Sequence, residues 1–241
     1  MATRGAEQIT LTGPPRGAAA IVRLDAGGAR VATVALKAAG GVAVHKAYLR
    51  PFGEGATEVR VRLPRETPPG TYSGEVALGD QRAEIRIEVE PVVHLRVHPQ
   101  RTRLSLPPRG GNEFVIAVEN RGNVPFEIPD AVALDLDDDE GQDRALGRAL
   151  RATLAPGEHR IDRYFEEIRD LHGGEAKLAV LAGAGALQPA EARALRCRLE
   201  LPESIRPGRS YIGGWQLGDT AHVLEVHVTA ATPVIREGRP Q

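Results

Sequence analysis

The sequence predicts an all-β protein with two tandem β-sandwich domains, the second of which carries a partly helical insertion. Three observations favour this fold class. Hydrophobic residues make up 41% of the 241 residues but aromatic residues only 4%, so the core must consist mainly of aliphatic side chains. The 27 glycines and 18 prolines follow no collagen-like period, which indicates many turns between short strands. One segment of the chain occurs twice, which indicates two copies of one domain type.

The repeated segment is the strongest of these signals. It reads LPRETPPGTYSGEVALGD at 63–80 and LPESIRPGRSYIGGWQLGD at 201–219, and nine residues coincide once a one-residue gap is allowed. The coinciding pairs are Leu63/Leu201, Pro64/Pro202, Pro69/Pro207, Gly70/Gly208, Tyr72/Tyr211, Gly74/Gly213, Leu78/Leu217, Gly79/Gly218 and Asp80/Asp219. Pro-Gly and Gly-Asp pairs are typical of tight turns. Each copy therefore predicts three strands joined by two turns.

The first domain is predicted to span residues 1–90. Alternating apolar and polar residues in this stretch indicate strands with one buried and one exposed face. Seven short strands separated by turn signals are the number expected for an immunoglobulin-like sandwich. The candidate strands lie near 7–12, 18–24, 30–37, 42–49, 57–63, 71–78 and 82–90.

The second domain is predicted to span residues 91–241, with the insertion at about 135–195. Within the insertion, HRIDRYFEEIRDLHGG places apolar residues at helical spacing, and Gly173 is expected to end this helix. We expect the helix to cover a face or edge of the sheet. Tyr164, Phe165 and Ile168 are the candidate residues for contact with a partner. The apolar residues at helical spacing are Ile161, Tyr164, Phe165, Ile168 and Leu171.

Two turn motifs give the chain a resemblance to a known group of modules. The segment VENRGNVPFEI at 118–128 holds Asn120, Gly122 and Asn123 in an N-x-G-N turn, and PGTY at 69–72 forms a P-G-x-Y turn. In both respects the chain resembles bacterial tandem immunoglobulin-like modules of the CARDB-like and fimbrial-chaperone-like kinds. The resemblance implies the fold, a role as a spacer, adhesion or assembly domain, and no catalytic residues. Modules of this kind are mostly extracytoplasmic.

The charges are balanced, with 31 Lys and Arg residues against 32 Asp and Glu residues. Nucleic-acid binding requires a concentrated basic surface, and the densest local group is only Arg101, Arg103 and Arg109, so no nucleic-acid partner is expected. No apolar run reaches the length of a membrane span, and the start resembles no secretory signal. The sequence as written fits a cytoplasmic protein, whereas a trimmed mature chain would fit a periplasmic or extracellular one.

The acidic run DLDDDEGQD supplies candidate calcium ligands in Asp135, Asp137 and Asp139. Oxygen ligands at close spacing are what Ca²⁺ prefers. The EF-hand pattern fails, however, because Glu140 stands where the turn requires glycine and Leu146 stands where the bidentate glutamate belongs. A solvated acidic loop is therefore the favoured interpretation, with calcium binding as the alternative.

Trp215 and Cys197 raise two further hypotheses. An exposed indole could stack on a sugar, but Trp215 aligns in the repeat with Val76 on the core-facing side, so a buried tryptophan is favoured. Cys197 lies between Leu195 and Leu199 in an alternating strand, so an inert buried thiol is favoured over a reactive one.

No catalytic motif or cofactor site is recognisable in the sequence. No serine lies in a G-x-S-x-G elbow, and GAGA at 183–186 does not form a phosphate-binding turn. The sequence therefore predicts a non-enzymatic interaction or scaffold protein that binds other proteins, as an accessory subunit of a larger assembly, through sheet edges and rigid faces. The alternative is a module that binds carbohydrate or calcium.

Overall fold

The first seven strands lie where the alternating pattern predicts them. The computed structural model describes residues 8–23, 30–38, 41–53, 55–78, 81–107, 111–169 and 172–229. All seven strands predicted for the first domain are confirmed, with ends that differ by a few residues. They are β1 (Ile9–Gly13), β2 (Ala18–Val22), β3 (Val31–Ala38), β4 (Gly41–Pro51), β5 (Thr57–Val61), β6 (Gly70–Leu78) and β7 (Gln81–Val89).

These seven strands pair into one continuous ring in the order β1-β2-β5-β4-β3-β6-β7. Strand β1 closes the ring because it pairs antiparallel with β2 and parallel with β7. The long β3–β4 hairpin, in which Val31 lies opposite Tyr48, joins strands that a sandwich would hold in separate sheets. The pairing thus differs from the two separate sheets expected from the sequence, whereas the mostly-β class is confirmed.

The core inside this ring is aliphatic, as the composition predicts. Its members alternate with exposed residues along each strand, which is the pattern of a strand buried on one face. Fully buried examples from five of the strands are Leu11, Val34, Val59, Val76 and Ile87. Tyr72 is the aromatic residue packed against this cluster.

The remaining elements form a second sheet with two helices inserted. Eight strands pair in the order β8-β10-β15-β13-β12-β16-β17-β9, and β11 pairs separately with β14. In chain order the elements are β8 (Leu95–His98), β9 (Arg101–Leu106), β10 (Gly111–Asn120), β11 (Phe126–Ile128), β12 (Ala131–Asp138), α1 (Gly141–Arg151), α2 (Arg160–Arg169), β13 (His172–Ala182), β14 (Gly185–Leu187), β15 (Ala192–Glu200), β16 (Ser210–Leu217) and β17 (Thr220–Val228).

Both sheets follow the same order of equivalent strands. The run β2-β5-β4-β3-β6-β7 corresponds to β10-β15-β13-β12-β16-β17, and each last strand pairs in parallel with an early one, β7 with β1 and β17 with β9. The early strand of the second sheet is divided into β8 and β9 at Pro99, which has no backbone N–H to donate to a ladder. Strands β8 and β9 therefore occupy opposite edges of that sheet.

The chain divides into two units. Unit 1 consists of Met1–His94, Asn120–Phe126 and Leu187–Glu191, and unit 2 consists of Leu95–Glu119, Glu127–Ala186 and Ala192–Gln241. The domain limits 1–90 and 91–241 stay a prediction.

The N-x-G-N turn belongs to unit 1 and is held by two buried asparagines. The Asn123 Nδ2 donates to the carbonyls of Thr67 at 3.0 Å and Glu90 at 2.9 Å, while its Oδ1 accepts from the Val92 N–H at 2.6 Å. The Asn120 side chain likewise accepts from the Gly122 N–H at 2.9 Å. Buried amides with all these hydrogen bonds made stabilise a turn rather than weaken it.

In both repeated segments the tyrosine hydroxyl hydrogen-bonds to the backbone of the residue directly before Pro-Gly, as donor in one copy and as acceptor in the other. The Tyr72 hydroxyl donates to the Pro68 carbonyl at 2.8 Å. The Tyr211 hydroxyl accepts from the Arg206 N–H at 3.0 Å, and Arg206 occupies the position equivalent to Pro68, directly before Pro-Gly. The second hairpin turn has Gly218 at a φ of 56°, a conformation that favours glycine. Gly79 and Asp80 lie outside the described residues.

The helical part of the chain departs from the prediction in one respect. Helix α2 lies within the predicted helical stretch but ends at Arg169, and Leu171 lies outside the described residues. Gly173, expected to end the helix, instead lies in β13, where an added Cβ would stand 2.6 Å from Cδ1 of Tyr211. Its role is close strand packing, so the helix-cap assignment is wrong. Neither helix is long and apolar enough to cross a membrane.

Candidate functional site

Helices α1 and α2 form an antiparallel helical hairpin between β12 and β13, which we call the helical hairpin (141–169). In α1 the buried residues are small, namely Gly141, Ala145 and Ala149, so the helix can approach its neighbours closely. An ion pair of 3.0 Å between Arg148 and Glu167 links the two helices. The hydrogen bond from Arg148 holds the pKa of Glu167 below its usual value.

The side chain of Arg160 fixes the beginning of α2 beside the end of α1. Its guanidinium donates to the carbonyl of Ala149 at 3.1 Å and to that of Leu150. The carbonyls at the end of a helix lack partners inside that helix, so a cation placed there satisfies them and interacts favourably with the helix dipole. Leu150 and Ile161 consequently lie at the same end of the helical hairpin.

Asp138 anchors the helical hairpin to the sheet. Its side chain is fully buried, and its two oxygens accept hydrogen bonds from different elements. Oδ1 contacts Arg144 of α1, and Oδ2 accepts from Arg209 at 2.9 Å, one residue before β16. A buried carboxylate is stable only when it is paired in this way. Sequence reasoning placed Asp138 in the acidic run but gave it no role.

The outer surface of the helical hairpin exposes four large apolar side chains. Leu146 is 48% exposed, Leu150 58%, Ile161 55% and Phe165 56%. Both helices contribute a pair spaced four residues apart, so each pair shares one helix face. A cluster of exposed apolar side chains indicates a contact surface more often than single scattered ones do.

The three predicted contact residues differ in their exposure. Phe165 faces outward, whereas Tyr164 and Ile168 are half-buried, and the Tyr164 and Phe165 ring centroids are 5.9 Å apart. Sequence reasoning missed Leu146 and Leu150 because α1 was not recognised as a helix. The i, i+4 spacing of these two leucines was the available signal.

The candidate calcium ligands stand on the exposed side of β12 and in the turn after it. Side chains of Asp135 and Asp137 are 76% and 79% exposed, and the His172 ring lies 3.9 Å and 3.4 Å from them. Asp139 lies in the turn, where its N–H donates to the Ser210 carbonyl. Within the described ranges no group of three or more His, Cys, Asp or Glu side chains could hold a metal ion together. Calcium binding stays a prediction.

Trp215 and Cys197 both lie in the core, as the alternating pattern predicts. Trp215 is 2% exposed, so its indole cannot serve as a platform for sugar. Cys197 is fully buried, and burial raises the pKa of its thiol to about 11. The thiolate needed for reactivity is therefore scarce at neutral pH.

The basic group predicted from sequence is partly neutralised in the sheet. The Arg101 and Arg103 guanidiniums each lie 2.5 Å from a carboxylate oxygen of Glu225, on the neighbouring strand β17. Hydrogen bonding from Arg103 lowers the pKa of Glu225, which keeps this carboxylate charged. Arg109 lies outside the described residues.

His222 is a buried titratable group in unit 2. Its side chain is 0% exposed, lies opposite Trp215 in the β16–β17 ladder and stacks on Phe114 with ring centroids 6.2 Å apart. Among the described residues neither ring nitrogen has a hydrogen-bond partner of ordinary geometry. Burial therefore lowers the pKa of His222, and nearby backbone groups of Pro99 and Gln100 offset only part of that effect.

We expect unit 2 to lose stability as the pH falls below the ordinary histidine pKa of about 6.5. Below that pH the unfolded chain binds a proton that the folded chain resists, so the free energy of unfolding decreases by up to about 1.4 kcal/mol per pH unit. Urea unfolding followed by Trp215 emission between pH 7.5 and 5 measures this dependence. His222→Leu should flatten it, whereas His227→Gln, an exposed histidine of the same strand, should not. An unchanged pH dependence in His222→Leu would contradict the assignment.

Comparison with known proteins yields no close relative. No protein family and no curated protein matches the chain. A crystal structure of Dpr11 IG1 bound to DIP-gamma has 11% identity and a TM-score of 0.31, covering 94% of this chain and 97% of that one. An I-band fragment of titin has 10% identity and a TM-score of 0.33, covering 92% and 62%. A protein of unknown function from Porphyromonas gingivalis W83 has 11% identity and a TM-score of 0.28, covering 91% and 96%. Neither the fold nor the function of this chain rests on likenesses of this size.

Proposed function

We propose that this chain is a non-enzymatic interaction module that binds a partner protein through the helical hairpin, as a scaffold or accessory subunit of a larger assembly. The observation that carries this proposal is the exposed apolar surface of Leu146, Leu150, Ile161 and Phe165. These side chains remain in water on the isolated chain, at a cost that contact with an apolar partner surface removes.

The position of the helical hairpin supports the proposal. In unit 1 the equivalent strands β3 and β4 are separated in the sequence by two residues, because β3 ends at Ala38 and β4 begins at Gly41. Unit 2 needs no helices to complete its own sheet, because the ladder between β12 and β13 resembles the one between β3 and β4. An element that the sheet does not require, and that exposes apolar residues, is where we place the function of unit 2.

The strand order supports an immunoglobulin-like arrangement for both proposed domains. In the notation used for such domains, sheets contain strands A-B-E-D and C-F-G. Unit 1 follows this order as β1-β2-β5-β4 and β3-β6-β7. We propose that each unit is a sandwich of this type whose two sheets are joined by the β3–β4 hairpin or its equivalent. Domains of this architecture present rigid faces on which contact surfaces are carried.

Replacing Leu150 and Phe165 together with glutamate tests the proposed surface. Tagged wild-type protein should retain a stoichiometric partner from its native lysate. The double variant should retain at least about tenfold less of this partner, because burying the two charges opposes an apolar contact. Val115→Glu is the matched control, because Val115 is 59% exposed on β10 of the same unit. Trp215 emission checks that all variants fold.

A second variant distinguishes loss of contact from loss of fold. Replacing residues 139–171 with a short Asn-Gly-containing turn should preserve the β12–β13 ladder, in which Asp137 lies opposite His172. This variant should fold and fail to retain the partner. Retention of the partner by both the double variant and the shortened chain would overturn the proposal.

A further inference from the structure

We propose that unit 1 has a second binding surface, on the outer face of β2, β5, β4 and β3, for an acidic protein segment that carries one large apolar side chain. We call this face the basic wall. Its outward-facing charged residues, including the one directly after β5, are five cations and one carboxylate. They are Lys37, Lys46, Arg50, Arg60, Arg62 and Glu58.

Among the described residues of the ring, the excess of positive charge lies on this side. On the outward face of β6 and β7 the charges nearly balance, and two ion pairs, Arg82–Glu75 at 3.8 Å and Arg86–Glu88 at 3.1 Å, hold them together. The whole chain has a formal charge of −1. The basic wall is therefore a local positive patch on a nearly neutral protein. The electrostatic field of such a patch attracts partners of opposite charge.

The register of the strands places Lys46, Arg50 and Arg60 around Tyr48. Along β4, Lys46, Tyr48 and Arg50 point outward at about 6.6–6.8 Å spacing, and Arg60 of β5 lies beside Tyr48. An extended acidic segment presents alternate side chains at the same repeat, so carboxylates two repeats apart can reach Lys46 and Arg50 while the residue between them lies over Tyr48. Guanidinium groups bind carboxylates through two parallel hydrogen bonds, which favours this class of ligand.

A shallow depression gives the basic wall an apolar anchor point. It has a volume of about 490 Å³ and is lined by Ala19, Ala20, Ile21, Arg50, Phe52 and Glu58. Ile21 and Phe52 are 55% and 54% exposed at its sides. Its lining by Ala19, Ile21 and Phe52 suits an apolar side chain such as leucine or phenylalanine, and Arg50 beside it can pair with a carboxylate of the same segment.

Two features favour a peptide on the face over other occupants. Strand β5, which carries Arg60, is paired along its whole length with β2 on one side and β4 on the other, so a partner cannot add a strand there and must bind the face. Glu58, paired with Arg60 at 2.7 Å, lies in the depression and repels a phosphate there. A peptide avoids this repulsion because its apolar side chain can contact Ala19, Ile21 and Phe52 in the depression while its carboxylates pair with the cations outside it.

The test uses full-length protein and a fluorescein-labelled peptide of alternating Asp and Glu with one central Phe. Fluorescence anisotropy at about 50 mM NaCl should show saturable binding that weakens at about 300 mM, because the contacts are exposed and screened by salt. Lys46→Glu with Arg50→Glu should weaken binding at least about tenfold. Arg82→Glu, whose side chain is 79% exposed on the opposite face, should change it less than about twofold. The Leu150→Glu/Phe165→Glu variant should bind the peptide normally, which separates this proposal from that for the helical hairpin.

Three results would overturn the proposal. Equal loss in Arg82→Glu would mean that net charge alone attracts the peptide. Equal binding of a peptide with Asn and Gln in place of Asp and Glu would exclude recognition of carboxylates. Tighter binding of single-stranded oligo-dT or of vesicles containing phosphatidylserine would assign the basic wall to nucleic acid or to an anionic membrane instead.

Discussion

Replacing Gly74 with alanine is expected to reduce the free energy of unfolding of unit 1 by more than about 3 kcal/mol. A Cβ at this position would overlap the carbonyl oxygen of Ala35 and lie 2.9 Å from Cα of Leu36. Both atoms belong to the backbone of β3, which pairs with β6 at this point. The obstruction is therefore steric and cannot be relieved by rotating a side chain. Relief requires that the β3–β6 ladder separate.

Two measurements check this expectation. Far-ultraviolet circular dichroism in urea should show an early transition in Gly74→Ala, while Trp215 emission, which reports on unit 2, should unfold as in the wild type. Gly214→Ala is the matched control in a strand of unit 2, because an added Cβ there meets nothing within 4 Å. This control should stay within about 0.5 kcal/mol of the wild type. A Gly74→Ala protein as stable as the control would contradict the close approach of the β3 and β6 backbones at Gly74.

Replacing Asp138 with alanine should destabilise unit 2 by about 2–4 kcal/mol and detach the helical hairpin. The change leaves Arg144 and Arg209 facing each other without the carboxylate that both contact. Their side chains are 33% and 18% exposed, so water compensates only part of the loss. The beginning of α1 loses the contact through which Asp138 links Arg144 to Arg209, so the retained partner should decrease in the same variant.

Asp137→Ala is the control for this prediction. Asp137 is the adjacent residue of β12, but its side chain is 79% exposed, so its removal should change stability by less than about 0.5 kcal/mol. Urea unfolding followed by Trp215 emission compares the two variants. If Asp138→Ala and Asp137→Ala were equally stable, Asp138 would not anchor the helical hairpin to the sheet.

The exposed apolar side chains of the helical hairpin show which site residues a sequence pattern can predict and which it cannot. The i, i+4 pattern of α2 predicts the helix and indicates Phe165 as a candidate contact residue. The same pattern does not predict helix α1, because its buried face consists of Gly141, Ala145 and Ala149, which are only weakly hydrophobic. The acidic run directly before α1 also indicates a solvated loop, although one of its members, Asp138, is buried.

The sequence by itself determined the strands of unit 1, the repeat, and the burial of Trp215 and Cys197. These features depend on a period of two residues and on turn chemistry, which act between near neighbours in the chain. Only the tertiary structure decided the rest. The ring of unit 1 depends on the pairing of its first and last strands, and the anchor at Asp138 depends on Arg209, which lies 71 residues away. The basic wall likewise gathers cations from three strands that no local pattern connects, because strand register, not sequence distance, sets which side chains become neighbours.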